Sequence, residues 1–404
     1  MTPNVAALVH DRKLILEGRR GSPWADEMVL NPGLIRDPQT RRLHLLFRAT
    51  GPWPQKRLPG KPLPYPIFLG YAWSDDEGQS WQSDFTCPAL APALCYEPDA
   101  LYIRNRNNER VVNHANGCIE DPRIFFLEGK CLMICACRLM PPGPFWEHDD
   151  PVQCAPAWTQ QPNPFGKAAT ANVTVNVLYE VDLARLTRRD YEHAFQYVTH
   201  LTNPELDENR DVLLFPEKLQ VNGRKQYVCI HRPFFPELNP PGRKGMLPSI
   251  YICAAHDLKK LWKERETQTI LAEPLFPWEA NRIAGSAPLL RISPTEWLLC
   301  YHGREETKLG YTQSFLILEE QPDALPRVKH RCPDRILYAQ ESWELPNKSP
   351  RPCVFVTGME RLNEKELLVA YGASDERVGT ALIDFHPLVA HVRQFDAEGR
   401  TTHE

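Results

Sequence analysis

Short apolar or alternating runs, each bounded by turn residues, recur along the whole chain. They fall at 43–49, 67–74, 130–138, 173–181, 226–231, 249–255, 297–301, 312–318, 367–371 and 378–385. Runs of this length and period predict half-buried or fully buried strands. Long amphipathic helices are not predicted, and 257–264 holds at most two turns. A strand ends in an acidic or polar turn at five places: Ser74-Asp75-Asp76-Glu77-Gly78, Glu180-Val181-Asp182-Leu183, Ala255-His256-Asp257-Leu258, Leu318-Glu319-Glu320 and Ile383-Asp384-Phe385. The later spacings are roughly 60 to 75 residues, and the first is longer because it holds a proline-rich insert. A small antiparallel sheet repeated five times predicts an all-β, five-bladed β-propeller, because such sheets cannot bury both faces alone and pack around an axis. The competing fold is two β-sandwich domains, but no composition shift marks a boundary between them. The expectation is one domain over 1–404 with proline-rich loop insertions.

Composition narrows the picture. The chain has 404 residues, and its 42% hydrophobic content supports a large core. A net charge of −4 leaves no basic footprint, so nucleic acid is not an expected partner. No apolar run approaches the roughly 18 residues of a membrane span, so a membrane is not expected either. Asp11, Lys13 and Glu17 interrupt the first apolar stretch, unlike a secretory leader. Of the 12 cysteines, Cys131, Cys135 and Cys137 alternate onto one strand face. They read as buried thiols, since no nearby histidine completes a zinc pattern. A cytoplasmic location follows. The 39 prolines are about twice the usual share. They cluster at 52–66, 141–164 and 233–248, as inserts between strands of one style. The 10 tryptophans and 13 tyrosines suit a sugar site, where flat rings pack on sugar faces, and equally suit an ordinary β core.

The densest chemistry is Gly117-Cys118-Ile119-Glu120-Asp121-Pro122-Arg123. It sets two carboxylates, a stiff proline and a guanidinium before an apolar run, 124–127. Pro122 is expected to hold Asp121 extended, a good mount for a catalytic acid. The same residues are also ordinary turn chemistry with a solvated acid pair. Other stretches place polar groups beside strands: Asn31-Pro32-Gly33, Phe47-Arg48, Asn209-Arg210-Asp211, Leu214-Phe215-Pro216-Glu217-Lys218, His231-Arg232-Pro233, Tyr301-His302-Gly303 and Tyr371-Gly372-Ala373-Ser374-Asp375.

In this order, from about 31 to 384, these stretches resemble glycoside hydrolase family 130, the β-mannoside phosphorylases and related β-mannosidases. The resemblance implies a single five-bladed β-propeller. It implies that Asp121 is the general acid, oriented by Glu120 and Arg123, and that the substrate-binding set is Asn31, Arg48, Glu120, Lys218 and Asp375. It implies phosphate binding by Arg210, Arg232 and His302, with Tyr311 and Lys218 near them. The proton is expected to travel through a sugar hydroxyl. Three features depart from the family pattern: Asp211 where an amide is more usual, Ser374 where alanine is, and the long proline-rich inserts.

Phosphate is already an anion and attacks without a base, so an inverting phosphorylase needs one acid and a cationic pocket. An inverting hydrolase needs a second carboxylate about 6.5–9.5 Å from the first. Arg210, Arg232 and His302, expected on different blades, therefore favour phosphorolysis, since guanidinium forks match phosphate oxygens. The bland alternative pairs these cations with Asp211, Glu217 and Glu237. The expected activity is an inverting β-mannoside phosphorylase that forms α-mannose 1-phosphate and a shortened sugar. Its alternatives are a β-mannosidase on the same fold or a non-catalytic carbohydrate-binding propeller. Expected partners are a β-mannoside oligosaccharide and inorganic phosphate as co-substrate; no metal or other cofactor is expected, and a homo-oligomer stays open. The insert 140–167, with Phe145, Trp146, Trp158 and Phe165, is expected at the acceptor rim or between copies.

Overall fold

The computed structural model describes residues 5–51, 65–142, 156–205, 208–234, 247–261, 269–305, 309–348 and 350–402. Most of the proline-rich inserts, with Phe145, Trp146 and Glu237, lie outside these residues.

Five antiparallel sheets follow one another along the chain. The first blade is Met28–Arg36, Leu43–Thr50, Phe68–Ser74 and Gln82–Asp84, and the second is Cys118–Leu127, Lys130–Arg138, Val175–Val181 and Phe195–His200. The third is Glu208–Leu214, Arg224–Phe234, Ile250–Ala255 and Thr269–Ala272, and the fourth is Arg282–Gly285, Glu296–Arg304, Tyr311–Gln321 and Ala324–Arg331. The fifth combines Val354–Arg361, Glu366–Ala373 and Arg377–Asp384 with Val9–Glu17 from the start of the chain. Val9 faces Ile383 and Glu17 faces Arg377, so the first strand closes the ring on the last blade.

Five separate apolar clusters show why the sheets form a ring. Each is shared by two successive blades: Ile35 and Tyr71 with Ile119 and Met133, Phe125 and Leu178 with Val212 and Leu214, Leu213 and Ile230 with Trp297 and Leu299, Phe315 and Ile317 with Val354 and Val369, and Val378 and Leu368 with Leu43 and Phe47. Two sandwiches would give two cores; a core in every gap, the last gap joining fifth blade to first, is a five-bladed β-propeller. The five acidic turns of the sequence each fall at or near the end of a blade's third strand.

The inner strands pack closely at the axis. A Cβ on Gly33 would sit 2.6 Å from the Pro122 oxygen, and one on Gly358 would sit 2.7 Å from the Leu34 nitrogen. Trp158 and Phe165, expected at the acceptor rim or between copies, pack with Leu101, Met140 and Val175 beside the second blade. Phe165 is buried there, and Trp158 donates its indole N–H to the Tyr96 oxygen at 2.9 Å. Among the described residues the longest helix is Phe385–Val392, and no helix is long and apolar enough to cross a membrane.

Candidate active site

Three inner strands break register near their starts: between Leu30 and Gly33, between Glu120 and Arg123, and between Arg210 and Leu213. In each break one residue has a positive φ: Asn31 at 45°, Asp121 at 51° and Asp211 at 59°. Asn and Asp tolerate this conformation better than other side chains. A bulge of this kind re-aims a side chain. Asp121 is therefore not extended, as its proline alone would suggest. Pro122 removes an N–H from the ladder, the bulge forms around it, and the bulge sets the aspartate.

The re-aimed groups meet across blades. Asn31 Nδ2–H donates to Asp121 Oδ1 at 2.8 Å, and Arg48 Nη1–H donates to the same oxygen at 3.2 Å. Arg48 Nη1 also lies 2.9 Å from Glu120 Oε2. Arg210 approaches Glu120 at 3.7 Å and Arg138 at 4.0 Å, while the Cys118 thiol donates to its other oxygen at 3.2 Å. Burial opposes ionisation of Glu120, but Arg48, Arg210 and Arg138 overcome it and hold the carboxyl down at about 2. Asp375 behaves differently. Burial pushes it up, Arg48 opposes, Asp121 adds to the rise, and the Cys353 thiol bonds it. Ser374, the departure from the family pattern, has a local task. Its hydroxyl donates to the Glu344 oxygen at 2.6 Å and its N–H to the Cys353 oxygen at 2.6 Å, which anchors the turn carrying Asp375.

A second group gathers on Asp211. Arg123 lies buried between blades, donating to Asp211 Oδ1 at 2.9 Å, to the Asp121 backbone oxygen at 3.1 Å and to the Ser286 oxygen at 2.9 Å. Arg232 Nε–H donates to Asp211 Oδ2 at 3.0 Å, and His302 Nε2 lies 3.9 Å away. Burial alone would raise Asp211; Arg232 and Arg123 hold it well below the usual range. His302 Nδ1 pairs with Ser286 Oγ at 3.0 Å, and its ring packs on Phe355 and Tyr311 at 4.6 and 5.4 Å. Burial drives the His302 pKa down to about 3, helped by the nearby arginines against Asp211, so the ring is neutral near pH 7. It is an uncharged contributor, not the cation the sequence suggested.

Two more guanidiniums belong here. Arg282 and Arg304 face each other across paired strands of the fourth blade, and Arg210 and Arg232 do the same on the third. Like charges directly opposite destabilise a sheet. Burial, with Arg232 and Arg304, lowers the Arg282 pKa even though Tyr311 opposes it. The Arg304 guanidinium stands over the Tyr311 ring at 5.3 Å.

The structure thus gathers Asn31, Arg48, Glu120, Asp121 and Asp375 on one side and Arg232, His302 and Tyr311 on the other, with Arg210 beside Glu120 and Glu208. Arg210 and Arg232 share one blade rather than standing on separate ones. Lys218 does not join. The chain after Phe215 leaves the axis, and the Lys218 ammonium pairs with Glu128 at 2.7 Å and covers the Tyr227 ring. Glu128 sits in the turn at the far end of Cys118–Leu127, seven residues beyond Asp121. The pairing alternative for the cations holds for Asp211 with Arg232, while Glu217 bonds Arg291 instead. The sequence reading missed Arg138, Arg282, Arg304, Ser286, Cys353 and Phe355. Only Arg304 carried a signal, two residues after His302 and so on the same strand face.

Comparison with known proteins agrees with this architecture. A family model described as beta-1,4-mannooligosaccharide phosphorylase, glycoside hydrolase family 130, matches residues 169–394. A beta-1,4-mannooligosaccharide phosphorylase from Ruminococcus albus is 27% identical over 206 residues, 50% of this chain and 56% of that enzyme. A beta-1,2-mannobiose phosphorylase from Listeria innocua is 29% identical over 147 residues, 36% of each. The matched stretches thus span about half or less of these relatives' lengths. The solved structure of a beta-1,2-mannobiose phosphorylase from Listeria innocua, in complex with beta-1,2-mannobiose, superposes with a TM-score of 0.59 at 16% identity, covering 97% of this chain and 98% of that one. A structure from work on family 130 hydrolases that target beta-1,2 mannosidic linkages superposes at 0.57 with 12% identity over 93% and 94% of the chains. With more than half its length matched by the family model, the chain belongs to glycoside hydrolase family 130.

Proposed function

We propose that this protein is an inverting β-mannoside phosphorylase, in which Asp121 donates a proton and inorganic phosphate attacks the mannosyl carbon. The supporting observation is the arginine density on the two blades that follow the blade of Asp121: two directly opposed pairs, Arg210 with Arg232 and Arg282 with Arg304. Glu208 and Glu120 already offset Arg210, and Asp211 offsets Arg232, while Arg282 is crowded by Arg232 and Arg304; a multiply charged anion beside Arg282 and Arg304 relieves that crowding, through charge-assisted bonds about twice as strong as neutral ones. His302, Tyr311 and Phe355 wall this side, and neutral His302 can donate or accept according to tautomer. Asn31 and Arg48 both bond Asp121 Oδ1, which leaves Oδ2 to carry the proton. The phosphate oxygen forms its bond to the anomeric carbon as the bond to the leaving sugar breaks. The proton from Asp121, direct or through a sugar hydroxyl, ends on the leaving oxygen. The products are α-mannose 1-phosphate and a shortened sugar.

One observation favours the hydrolytic reading: Asp375, buried near Asp121 with a raised pKa, has the character of a base that could activate water. Product formation from β-mannosides should be measured with and without inorganic phosphate, and the mannosyl product identified. Phosphate-dependent release of mannose 1-phosphate is expected. Free mannose at full rate in phosphate-free buffer would replace phosphorolysis with hydrolysis, and no release at all from a panel of mannosides would leave a carbohydrate-binding propeller.

A further inference from the structure

We propose that Cys332, Asp334 and His391 form a binding site for a divalent transition-metal ion, Zn(II) by the chemistry of its donors, which ties the last helix to the fourth blade. Cys332 and Asp334 lie just beyond the outer strand Ala324–Arg331, and His391 lies on Phe385–Val392. Their donor atoms, a thiol, a carboxylate oxygen and a ring nitrogen, all fall within 4.8 Å of one another. Tetrahedral zinc with bonds of about 2.0–2.3 Å keeps its donors about 3.3–3.8 Å apart, so small side-chain rotations complete the set. His391 Nε2 already stands 2.9 Å from Asp334 Oδ2.

Further observations separate this group from a simple ion pair. First, the loop is set in place without the helix. The Cys332 N–H donates to the Phe315 oxygen at 3.1 Å, and Ser314 Oγ–H donates to the Cys332 and Asp334 oxygens at 3.2 and 2.7 Å. Second, His391 is 2% exposed and turns Nε2 toward Asp334, so the buried imidazole presents a metal-ligating nitrogen to the loop. Third, a fully buried thiol joins the pair, which a helix-docking ion pair would not need and which a zinc ion favours. Asp334, with a side chain 43% exposed, gives a path for the ion, and three protein donors leave a fourth position for water. Among the described residues this is the one group of three such donors within reach of each other. The sequence hid it, because His391 is 57 residues from Asp334.

Co(II) and Zn(II) added to the metal-stripped protein test the site. One equivalent should stay bound through desalting, the Co(II) form should show a thiolate-to-metal charge-transfer band, and Zn(II) should raise the melting temperature, since only the folded chain brings the donors together. Cys332→Ser should lose the band and the shift in melting temperature. If Cys332→Ser does not fold, Asp334→Asn, at a half-exposed side chain, should weaken binding tenfold or more. A metal-binding profile that is the same in wild type and in the folded variant, or a wild type that retains no metal, overturns the proposal.

Discussion

Asp121 owes its setting to three neighbours of different kinds. An amide and a guanidinium hold one oxygen, and a bulge in its own strand turns the side chain toward them. Asp121→Asn keeps the shape and removes the proton. Turnover of a natural sugar substrate should then fall by about 10²–10⁴, the usual worth of general acid help. A folded variant with more than about a tenth of wild-type turnover, well outside that range, would remove Asp121 from the role. Arg282 supplies the second test at this scale. Its guanidinium faces Arg304 and donates to the Asn281 side chain at 2.6 Å. If the arginine pairs hold the attacking anion, Arg282→Ala should raise KM for phosphate tenfold or more, about 1.4 kcal/mol. KM for the mannoside should move much less. Equal shifts in both constants would point to general damage, and no shift would place the anion elsewhere.

The inner strands carry opposite chemistries at their two ends. Their starts hold the acid and the arginines, while the far end of Val354–Arg361 holds Glu360. Burial pushes this carboxyl up to about 7, against the opposing charge of Arg36. Its folded pKa thus lies above its ordinary value of 4.5, so folding favours the protonated form. The resulting destabilisation is absent below pH 4.5, grows as pH rises through 7 and is complete above that. Glu360→Gln removes the charge and keeps the shape. It should melt higher than wild type at pH 8 and match it near pH 4. A melting difference that is the same at both pH values would show that Glu360 is ionised and satisfied in the fold.

At the scale of the whole molecule, stability depends on one pairing made far apart in sequence. Val9–Glu17 covers the outer edge of Arg377–Asp384, and Leu8, Val9 and Leu16 are buried in that closure. Burying such side chains is worth about 1.5–3 kcal/mol each, comparable in sum with the total stability of many proteins, about 5–15 kcal/mol. A chain shortened to begin after Glu17 would lose these side chains, uncover the apolar residues they pack on, such as Ile383 and Val378, and leave an unpaired strand edge, which invites association. It should melt well below the full chain and scatter light as aggregates. Melting and mass unchanged by the deletion would mean that the ring holds without its clasp.

Besides 124–127 on the inner strand of the second blade, ten runs were legible as strands in the sequence, and they are the second and third strands of all five blades. Those strands are buried on both faces between neighbouring blades, so their residues are nearly all apolar and announce themselves by hydrophobicity alone. The turns after the third strands gave the count of five. The inner strands were mostly silent, because they bend around polar groups: Asn31-Pro32, Asp121-Pro122 and Arg210-Asp211 do not read as ladder residues. Local sequence also placed the acid beside its proline and could name most of the polar groups around it. What it could not supply was direction. The positive φ of Asp121, the meeting of Asn31 with Asp121 and the loss of Lys218 to Glu128 all follow from how strands far apart in the chain are staggered around one axis. The neutral state of His302 and the opposed pair Arg282 and Arg304 likewise exist only once burial and cross-strand register are fixed. Charge state and convergence depend on distances between distant residues, and those distances are set by the closed ring.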